Sequence, residues 1–282
     1  MQVSDFKFWL HSCLNAHVTF DVCIKSGTLI PLADAVLPVT NIEFGYGFGV
    51  YENIRVVHGK TLFLSDHIER LCRSAKTIGL SHTLTEKDIA MWTDTLVKKC
   101  GSDALNLKML LIGAREPKDA MLFILPLAPL FTDKKLYVHG AKAVTVNYER
   151  QFPDAKTLNM LGSYLSYRKA KEAGAYDALL IANDGTILEG TRTNFFLIND
   201  RTIIGAPLKR ILEGVTMKHV LEIARSNGFE TREELIKPED IKNADGAFLT
   251  STSSKILPLT KIDDMAIEIP EALKELIKMF DE

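Results

Sequence analysis

The sequence predicts an α+β or α/β protein of two domains, each built from mixed strands and helices. Its 282 residues exceed one ordinary domain and can form two hydrophobic cores. Strands and helices follow one another in both halves without the strict alternation of a doubly wound sheet. A polar, proline-containing break at residues 128–135 separates an N-terminal domain, residues 1–130, from a C-terminal domain, residues 131–282. We expect the two domains to pack at a cleft.

Composition argues against several classes of protein. The formal net charge is −2, and no basic excess indicates a nucleic-acid partner. The apolar runs are too short for a signal peptide or a membrane span, so we expect a cytoplasmic protein that does not enter membranes. The four cysteines are scattered and lack metal-ligand spacing, so we expect reduced thiols and no metal: Cys13, Cys23, Cys72 and Cys100.

The first half predicts two hairpins, two helices and two buried strands. The hairpins pair HVTFDVCI with TLIPL, and GVYENIRVV with TLFL around Gly59. In SDHIERLCRSAKTIGL the apolar residues recur at helical spacing, Asp66 can cap the helix, and Gly79 can end it. A second helix covers residues 85–99, and the strands are LNLKMLLIG and AMLFILPL.

The second half begins with two predicted strands, LYVHG and AVTVNY. The stretch from Gln151 to Gly174 then predicts a helix that begins just after Asp154, with Lys156 in its first turn. A hairpin follows, because Asn183-Asp184-Gly185 is a strong turn signal between apolar runs. The remaining strands are TNFFLI, TIIGA and GAFLT, and the remaining helices are GVTMKHVLEIARSNG, KPEDIKNA and PEALKELIKMF.

Lys156 is an unusual residue for the first turn of a helix, because that end carries partial positive charge. The helix end and the apolar neighbours would lower the pKa of its amine, and a neutral amine is a nucleophile. The alternative is an exposed lysine whose amine extends into water.

Four further stretches have unusual compositions. EFGYGFGVYENIR contains three glycines and two tyrosines, and GTILEGTRTNFF ends an apolar strand with Glu189. LEGVTMKH begins a helix whose amides can face an anion, and the hydroxyl residues of LTSTSSK can surround a phosphate. The alternatives are a tight turn, a carboxylate in water and polar surface loops. Arg70 lies off the apolar stripe of its helix, which indicates a solvated basic face.

Taken together, the sequence resembles the fold-type IV pyridoxal-phosphate enzymes, most closely the branched-chain-amino-acid aminotransferases. The resemblance spans residues 42–259, and its motifs occur in family order: YGFGVYENIR, LFLSDHIERLCRSA, AKTLNMLGSYL with DALLIANDGTILEGTRTNFFLI, LEGVT, and FLTSTSSKILPL. It implies the two-domain fold of D-amino-acid aminotransferase, with the cofactor in a cleft between the domains. It also implies a homodimer.

The resemblance implies a role for each matching residue. Lys156 would bond covalently to pyridoxal 5′-phosphate and transfer the substrate proton, and Glu189 would pair with the pyridine nitrogen. The phosphate would be bound by Arg70, Val215, Thr216, Ser251 and Thr252, which replaces the solvated interpretation of Arg70. The remaining matches are Tyr164 near the phenolic oxygen of the cofactor, and Tyr46 and Tyr51 in the substrate pocket.

Substrate choice rests on weaker matches. The Arg-Gly that many members carry after LNLKMLLI is absent, so either Lys108 or Arg115 would bind the substrate carboxylate. Phe48, Met217 and Lys255 also depart from the family pattern. We expect transamination between a small apolar, branched-chain amino acid and a 2-oxo acid such as 2-oxoglutarate. The alternatives are elimination as in aminodeoxychorismate lyase, D-amino-acid transamination, which the missing Arg-x-His pair disfavours, and a weakly active cofactor-binding paralogue.

Overall fold

The computed structural model describes residues 20–129 and 131–281 of the chain. The chain forms two compact units: Met1–Phe131 with Ala155–Asn159, and Thr132–Asp154 with Met160–Glu282. Residues 155–159 therefore group with the first unit, whereas the division made from the sequence assigns them to the second domain. Cys13 and the start of HVTFDVCI lie outside the described residues.

The first unit contains one antiparallel sheet and the helices that pack on it. Its elements are β1 (Val22–Lys25), β2 (Thr28–Pro31), α1 (Ile42–Gly45), β3 (Gly49–Val57), β4 (Lys60–Thr61), α2 (Leu64–Thr77), α3 (Glu86–Cys100), β5 (Ala104–Ile112) and β6 (Met121–Leu127). The strand order is β2-β1-β6-β5-β3-β4. Short 3-10 helices occupy Leu32–Asp34 and Pro117–Asp119.

One face of this sheet forms the core of the first unit. Alternate residues of β3 point toward α2 and α3, so Ile54 packs with Leu71 of α2 and Leu96 of α3. Each fully buried aliphatic side chain stabilises the fold by about 1.5–3 kcal/mol. The long β3–β5 pairing, from Gly49 opposite Ile112 to Val57 opposite Ala104, fixes which residues share each face.

The second unit contains a larger sheet. Its elements are α4 (Lys134–His139), β7 (Ala141–Asn147), α5 (Leu161–Glu172), β8 (Asp177–Ile181), β9 (Ile187–Gly190), β10 (Asn194–Asn199), β11 (Thr202–Gly205), α6 (Val215–Ser226), β12 (Glu230–Glu233), β13 (Gly246–Ser251), β14 (Lys255–Ile262), β15 (Met265–Ala266) and α7 (Glu271–Asp281). The main strand order is β12-β11-β10-β13-β14-β7-β8-β9. β15 pairs with β14, and 3-10 helices occupy Leu208–Arg210 and Pro238–Asn243.

The second sheet closes on itself, because β9 pairs with β10 as well as with β8. This extra pairing places Glu189 of β9 directly opposite Asn194 of β10. Asn194 is in turn opposite Thr250 of β13. Partners directly opposite in antiparallel strands share a face, so the three polar side chains form one row across three strands.

Two local predictions for helices and strands are wrong. LYVHG is part of α4 rather than a strand, because the Asp133 side chain accepts a hydrogen bond from the Lys135 N–H and begins a helical turn. Helix α2 begins at Leu64 with Phe63 at its N-cap position, so Asp66 lies inside the first turn instead of capping it. The early helix start also shortens the strand after Gly59 to two residues.

None of the helices in the described parts of the chain is long and apolar enough to cross a membrane.

Candidate active site

Lys156 lies in an extended segment of the first unit. The Tyr51 N–H donates to the Lys156 carbonyl oxygen at 2.9 Å, and the Leu158 N–H donates to the Gly49 oxygen at 2.8 Å. The Lys156 N–H donates to the hydroxyl of Ser74 on α2 at 3.0 Å. The backbone of this lysine is therefore held by β3 and α2.

The placement of Lys156 in a first helical turn is wrong, because α5 begins only at Leu161. Hydrogen bonds to β3 keep the segment extended, and an antiparallel bridge joins Thr157 to Val50. The partial charge of a helix end thus does not explain why a lysine stands at this position.

The amine of Lys156 lies against the ring of Tyr51. Its Nζ is 4.4 Å from the ring centroid, a cation–π distance, and both side chains are half-buried. The structure therefore brings together two residues that the sequence predicted for one site. Tyr46 follows α1 and is 85% exposed.

Arg70 forms a buried ion pair with Glu52. Its Nε and Nη2 donate to the two carboxylate oxygens, each at 2.7 Å, and His67 Nδ1 lies 2.8 Å from the same carboxylate. The interpretation of Arg70 as part of a solvated face is wrong, since the residue is 4% exposed. Sequence reasoning missed Glu52, although it occupies an inward position of β3 between Val50 and Ile54, where an apolar residue is the norm.

The electrostatics of this cluster keep Glu52 ionised. Burial alone would raise the pKa of Glu52, but Arg70 and then His67 lower it to about 2. A carboxylate that bonds a guanidinium through both oxygens also fixes the plane of the guanidinium. Glu52 therefore orients Arg70 on α2, one turn before Ser74.

In the second unit, Glu189 is buried at the end of β9. Its Oε1 accepts from Arg150 Nε at 2.7 Å and its Oε2 accepts from the Leu212 N–H at 3.1 Å. Asn194 donates through Nδ2 to the Leu212 oxygen at 2.7 Å. The carboxylate is thus held in a fixed orientation rather than solvated at a hairpin end. Sequence reasoning missed Arg150 and Asn194, whose contacts with this site depend on the sheet.

A tight turn follows Glu189. The buried Asp177 accepts hydrogen bonds from the hydroxyls of Thr191 and Thr193. A Cβ at Gly190 would lie 2.1 Å from Thr193 Oγ1 and 2.7 Å from Asp177 Oδ2. Only glycine fits there without displacing these groups, so Asp177 and Gly190 together fix the end of the strand that carries Glu189.

Val215 and Thr216 stand at the amino end of α6, as the sequence predicted. Gly214 is the N-cap residue; no side chain caps the helix and its first turn has no acidic residue. A Cβ at Gly214 would lie 2.1 Å from Asn194 Oδ1. The helix therefore presents backbone N–H groups with partial positive charge, which is an arrangement suited to an anion.

The hydroxyl loop after β13 differs from the expectation in detail. Ser251 Oγ hydrogen-bonds the Ser254 hydroxyl at 2.7 Å and accepts the Ser254 N–H at 3.1 Å. Thr252 follows it in the same turn. Thr250 Oγ1 is buried and has no hydrogen-bond partner in the described structure. Such a hydroxyl costs about 1–3 kcal/mol unless a bound group completes its hydrogen bonding.

Three remaining candidates lie on separate elements. Tyr164 is half-buried on α5, and its N–H donates to the Met160 oxygen at 2.8 Å. Lys108 is half-buried on β5, and Arg115 is exposed in the loop after that strand.

Comparison with known proteins decides the family. The family model for amino-transferase class IV matches residues 49–262. The chain belongs to the class IV aminotransferases. It is 30% identical over 275 residues to a putative branched-chain-amino-acid aminotransferase of Methanocaldococcus jannaschii, covering 90% of this chain and 94% of the relative. A D-alanine aminotransferase of Bacillus licheniformis is 29% identical, over 86% of this chain and 88% of its own.

Solved structures agree with this family. The branched-chain aminotransferase of Thermoproteus uzoniensis, crystallised with norvaline, superposes with a TM-score of 0.84 at 27% identity, over 92% of this chain and 93% of its own. These comparisons confirm the predicted family and the fold-type IV class. The aminotransferase is therefore an enzyme, and its cofactor is pyridoxal 5′-phosphate.

The side chains of each unit fit this cofactor. In the second unit, the buried Glu189 suits a protonated ring nitrogen, and the α6 amides with the unpartnered Thr250 hydroxyl suit a phosphate. In the first unit, Lys156 supplies the amine and Arg70 a guanidinium.

Proposed function

We propose that this aminotransferase moves the amino group of a small apolar amino acid of the branched-chain class to a 2-oxo acid such as 2-oxoglutarate. The observation that carries the proposal is the contact between Lys156 Nζ and the Tyr51 ring, on a sheet face that also carries Leu110 directly opposite Tyr51. An aromatic and an aliphatic side chain beside the reactive amine favour an apolar substrate side chain.

Lys156 carries the proton transfers in this proposal. When bound, pyridoxal 5′-phosphate carries the substrate amino group and accepts the electron pair released at the α-carbon. Lys156 anchors the cofactor covalently; once displaced, its Nζ takes the proton from the substrate α-carbon and delivers a proton to the neighbouring cofactor carbon. Glu189 holds a proton at the pyridine nitrogen.

The other assigned residues bind and orient. The phosphate contacts are Arg70, Val215, Thr216, Ser251 and Thr252, and the unpartnered Thr250 hydroxyl supports this assignment of the loop. Tyr164 contacts the phenolic oxygen. Tyr51 and Tyr46 line the substrate pocket.

Lys108 is the better candidate for the substrate carboxylate. It lies opposite Asn53, which is two residues along β3 from Tyr51, so Lys108 and Tyr51 share a sheet face. Diagonal neighbours of this kind are about 7–8 Å apart, within reach of a lysine side chain. Arg115 lies beyond the end of β5 and is exposed. We therefore assign the carboxylate contact to Lys108.

The D-alanine aminotransferase relative supports a second candidate, transamination of a D-amino acid. Half-reactions distinguish the candidates, since each converts the absorption of the bound cofactor with one amino acid alone. L-leucine, L-isoleucine and L-valine are expected to convert it, and D-alanine is expected to convert it slowly. Faster conversion by D-alanine contradicts the branched-chain assignment. Pyruvate formed from aminodeoxychorismate without a 2-oxo acid identifies the lyase alternative, and no conversion by any amino acid identifies the weakly active paralogue.

The proposal includes a homodimer and a cytoplasmic location. An exposed apolar segment precedes β3: Val36, Val39, Ile42, Phe44 and Tyr46. Contiguous exposed apolar side chains favour a protein partner, and a second copy of the chain is the partner proposed. The free cysteines Cys23, Cys72 and Cys100 are consistent with a reducing compartment. Light scattering should give twice the 31.5 kDa chain mass, and a mass of one chain contradicts the dimer.

A further inference from the structure

The guanidinium of Arg150 bonds two parts of the second unit at once. Its Nε donates to Glu189 Oε1 at 2.7 Å, its Nη1 donates to the Phe152 oxygen at 3.3 Å, and its Nη2 donates to the Pro153 oxygen. We infer that Arg150 is a positioning residue of the aminotransferase, which keeps Glu189 ionised and oriented and restrains the chain that leads into Lys156. The inference rests on the proposed roles of Glu189 and Lys156.

The charge of Arg150 compensates a nearly buried carboxylate. The side chains of Arg150 and Glu189 are 17% and 7% exposed, so water screens their interaction only weakly. Removing one partner of such a pair leaves a buried charge without compensation. A carboxyl group that takes up a proton to avoid this situation can no longer stabilise positive charge on a ring nitrogen.

Arg150 also fixes the direction in which Glu189 accepts. Arg150 Nε occupies one carboxylate oxygen and the Leu212 N–H occupies the other. A carboxylate has about four acceptor positions, so these two donors set its plane and leave capacity for a third. Without the guanidinium, only the Leu212 N–H would remain to orient the carboxylate.

The two carbonyl contacts restrain the chain ahead of the reactive lysine. Phe152 and Pro153 precede Lys156 by four and three residues, and they belong to no helix or strand. Their carbonyl oxygens are held by the same guanidinium that holds Glu189. One substitution is therefore expected to disturb both the carboxylate and the segment before the lysine.

The test compares Arg150→Gln and Arg150→Lys with a matched control, Arg201→Gln. Arg201 also pairs with one carboxylate, Glu275, and also donates to a backbone oxygen, that of Asn227, but it contacts no residue assigned to the cofactor. Each purified holoenzyme is measured for cofactor affinity, for the pH at which the cofactor absorption changes, for kcat and KM, and for thermal midpoint.

For Arg150→Gln we expect the spectral transition to move by about one pH unit or more, which corresponds to a tenfold change in the protonation equilibrium. We also expect cofactor affinity to fall about tenfold and kcat to fall about a hundredfold, with a smaller change in KM. Arg150→Lys should recover part of each effect, because it keeps a charge, and it provides the comparison if the glutamine variant does not fold.

The inference is overturned if the spectra and kcat of the Arg150 variants match those of Arg201→Gln. It is also overturned if their thermal midpoints fall while the pH of the spectral transition stays that of the wild type, because the role is then only structural. A wild-type protein that binds no cofactor contradicts the proposed function itself, and the inference falls with it.

Discussion

The main-chain N–H of Lys156 donates a 3.0 Å hydrogen bond to the buried hydroxyl of Ser74. Ser74 follows Arg70 by four residues on α2, so the two side chains lie on the same face of the helix. One helix face thus positions the backbone of the reactive lysine and also carries the arginine assigned to the phosphate. Glu52 on the neighbouring strand fixes that arginine in turn.

Ser74→Ala is expected to destabilise the first unit and loosen the segment around Lys156. The substitution leaves a backbone N–H without its acceptor, which costs about 1–3 kcal/mol. Urea unfolding measures the loss, and the rate of borohydride trapping of the cofactor reports the lysine. Ser166→Ala removes a buried serine whose hydroxyl donates only to a helix carbonyl, so it serves as the control. Equal stability and trapping rates in both variants contradict the role of Ser74.

Glu52→Gln is expected to be far more destabilising than a surface substitution. It removes the charge that compensates the buried Arg70, and breaking a buried pair in this way costs about 3–5 kcal/mol. Glu69→Gln provides the control, because Glu69 pairs with Arg73 at 3.4 Å on the surface and should contribute at most about 1 kcal/mol. Denaturant midpoints of the two variants measure the difference. A midpoint for Glu52→Gln close to that of Glu69→Gln would sink this explanation.

The same carboxylate makes stability depend on acid. The pKa of Glu52 falls from an ordinary 4.5 to about 2 in the folded protein. A depressed carboxyl pKa contributes stability above the unfolded value, and that contribution disappears as the pH falls from 4.5 toward 2. The loss is at most about 3 kcal/mol, at 1.4 kcal/mol per pKa unit. Unfolding midpoints measured across this range should fall less steeply in Glu52→Gln than in the wild type; equal slopes contradict the assignment.

Gly190→Ala tests the turn that fixes Glu189. A Cβ there would meet Thr193 Oγ1 at 2.1 Å, so Thr193 or Asp177 must move, at a cost of about 1–3 kcal/mol. We expect lower thermal stability and weaker cofactor binding. Gly45→Ala is the matched control, because its Cβ would meet nothing within 4 Å. Wild-type cofactor affinity in Gly190→Ala would show that the turn does not position the carboxylate.

Lys108→Met tests the assignment of the substrate carboxylate. Loss of one charge-assisted hydrogen bond, about 1.5–3 kcal/mol, should raise KM for the amino acid about tenfold to a hundredfold. Arg115→Met should change KM little, because its side chain is exposed beyond the strand. Initial rates with the amino acid varied measure both. The reverse pattern would assign the carboxylate to Arg115 instead.

Local patterns were enough to predict much of the fold. The apolar runs of β5 and β6, the Asn183-Asp184-Gly185 turn and the amphipathic α6 depend on residues near one another in sequence. LYVHG was misassigned because the strand propensity of Tyr137 and Val138 was outweighed by the cap at Asp133. Lys156 was placed in a helix because its real partner, β3, lies about a hundred residues away in the chain.

The site was predictable only where motifs carried it. The order of five motifs indicated Lys156, Arg70 and Glu189 before any contact was known. The partners that orient them could not be read from the sequence, because Glu52 meets Arg70 by strand–helix packing and Arg150 reaches Glu189 across 39 positions. Thr250 joins this row only through the register of β13 and β10.

The most direct test of the central claim is borohydride reduction of the purified holoenzyme followed by peptide mass spectrometry. The account predicts one modified peptide, which carries the mass of the reduced cofactor on Lys156. Modification of a different lysine, or a Lys156 peptide of unchanged mass from a cofactor-loaded protein, would contradict it.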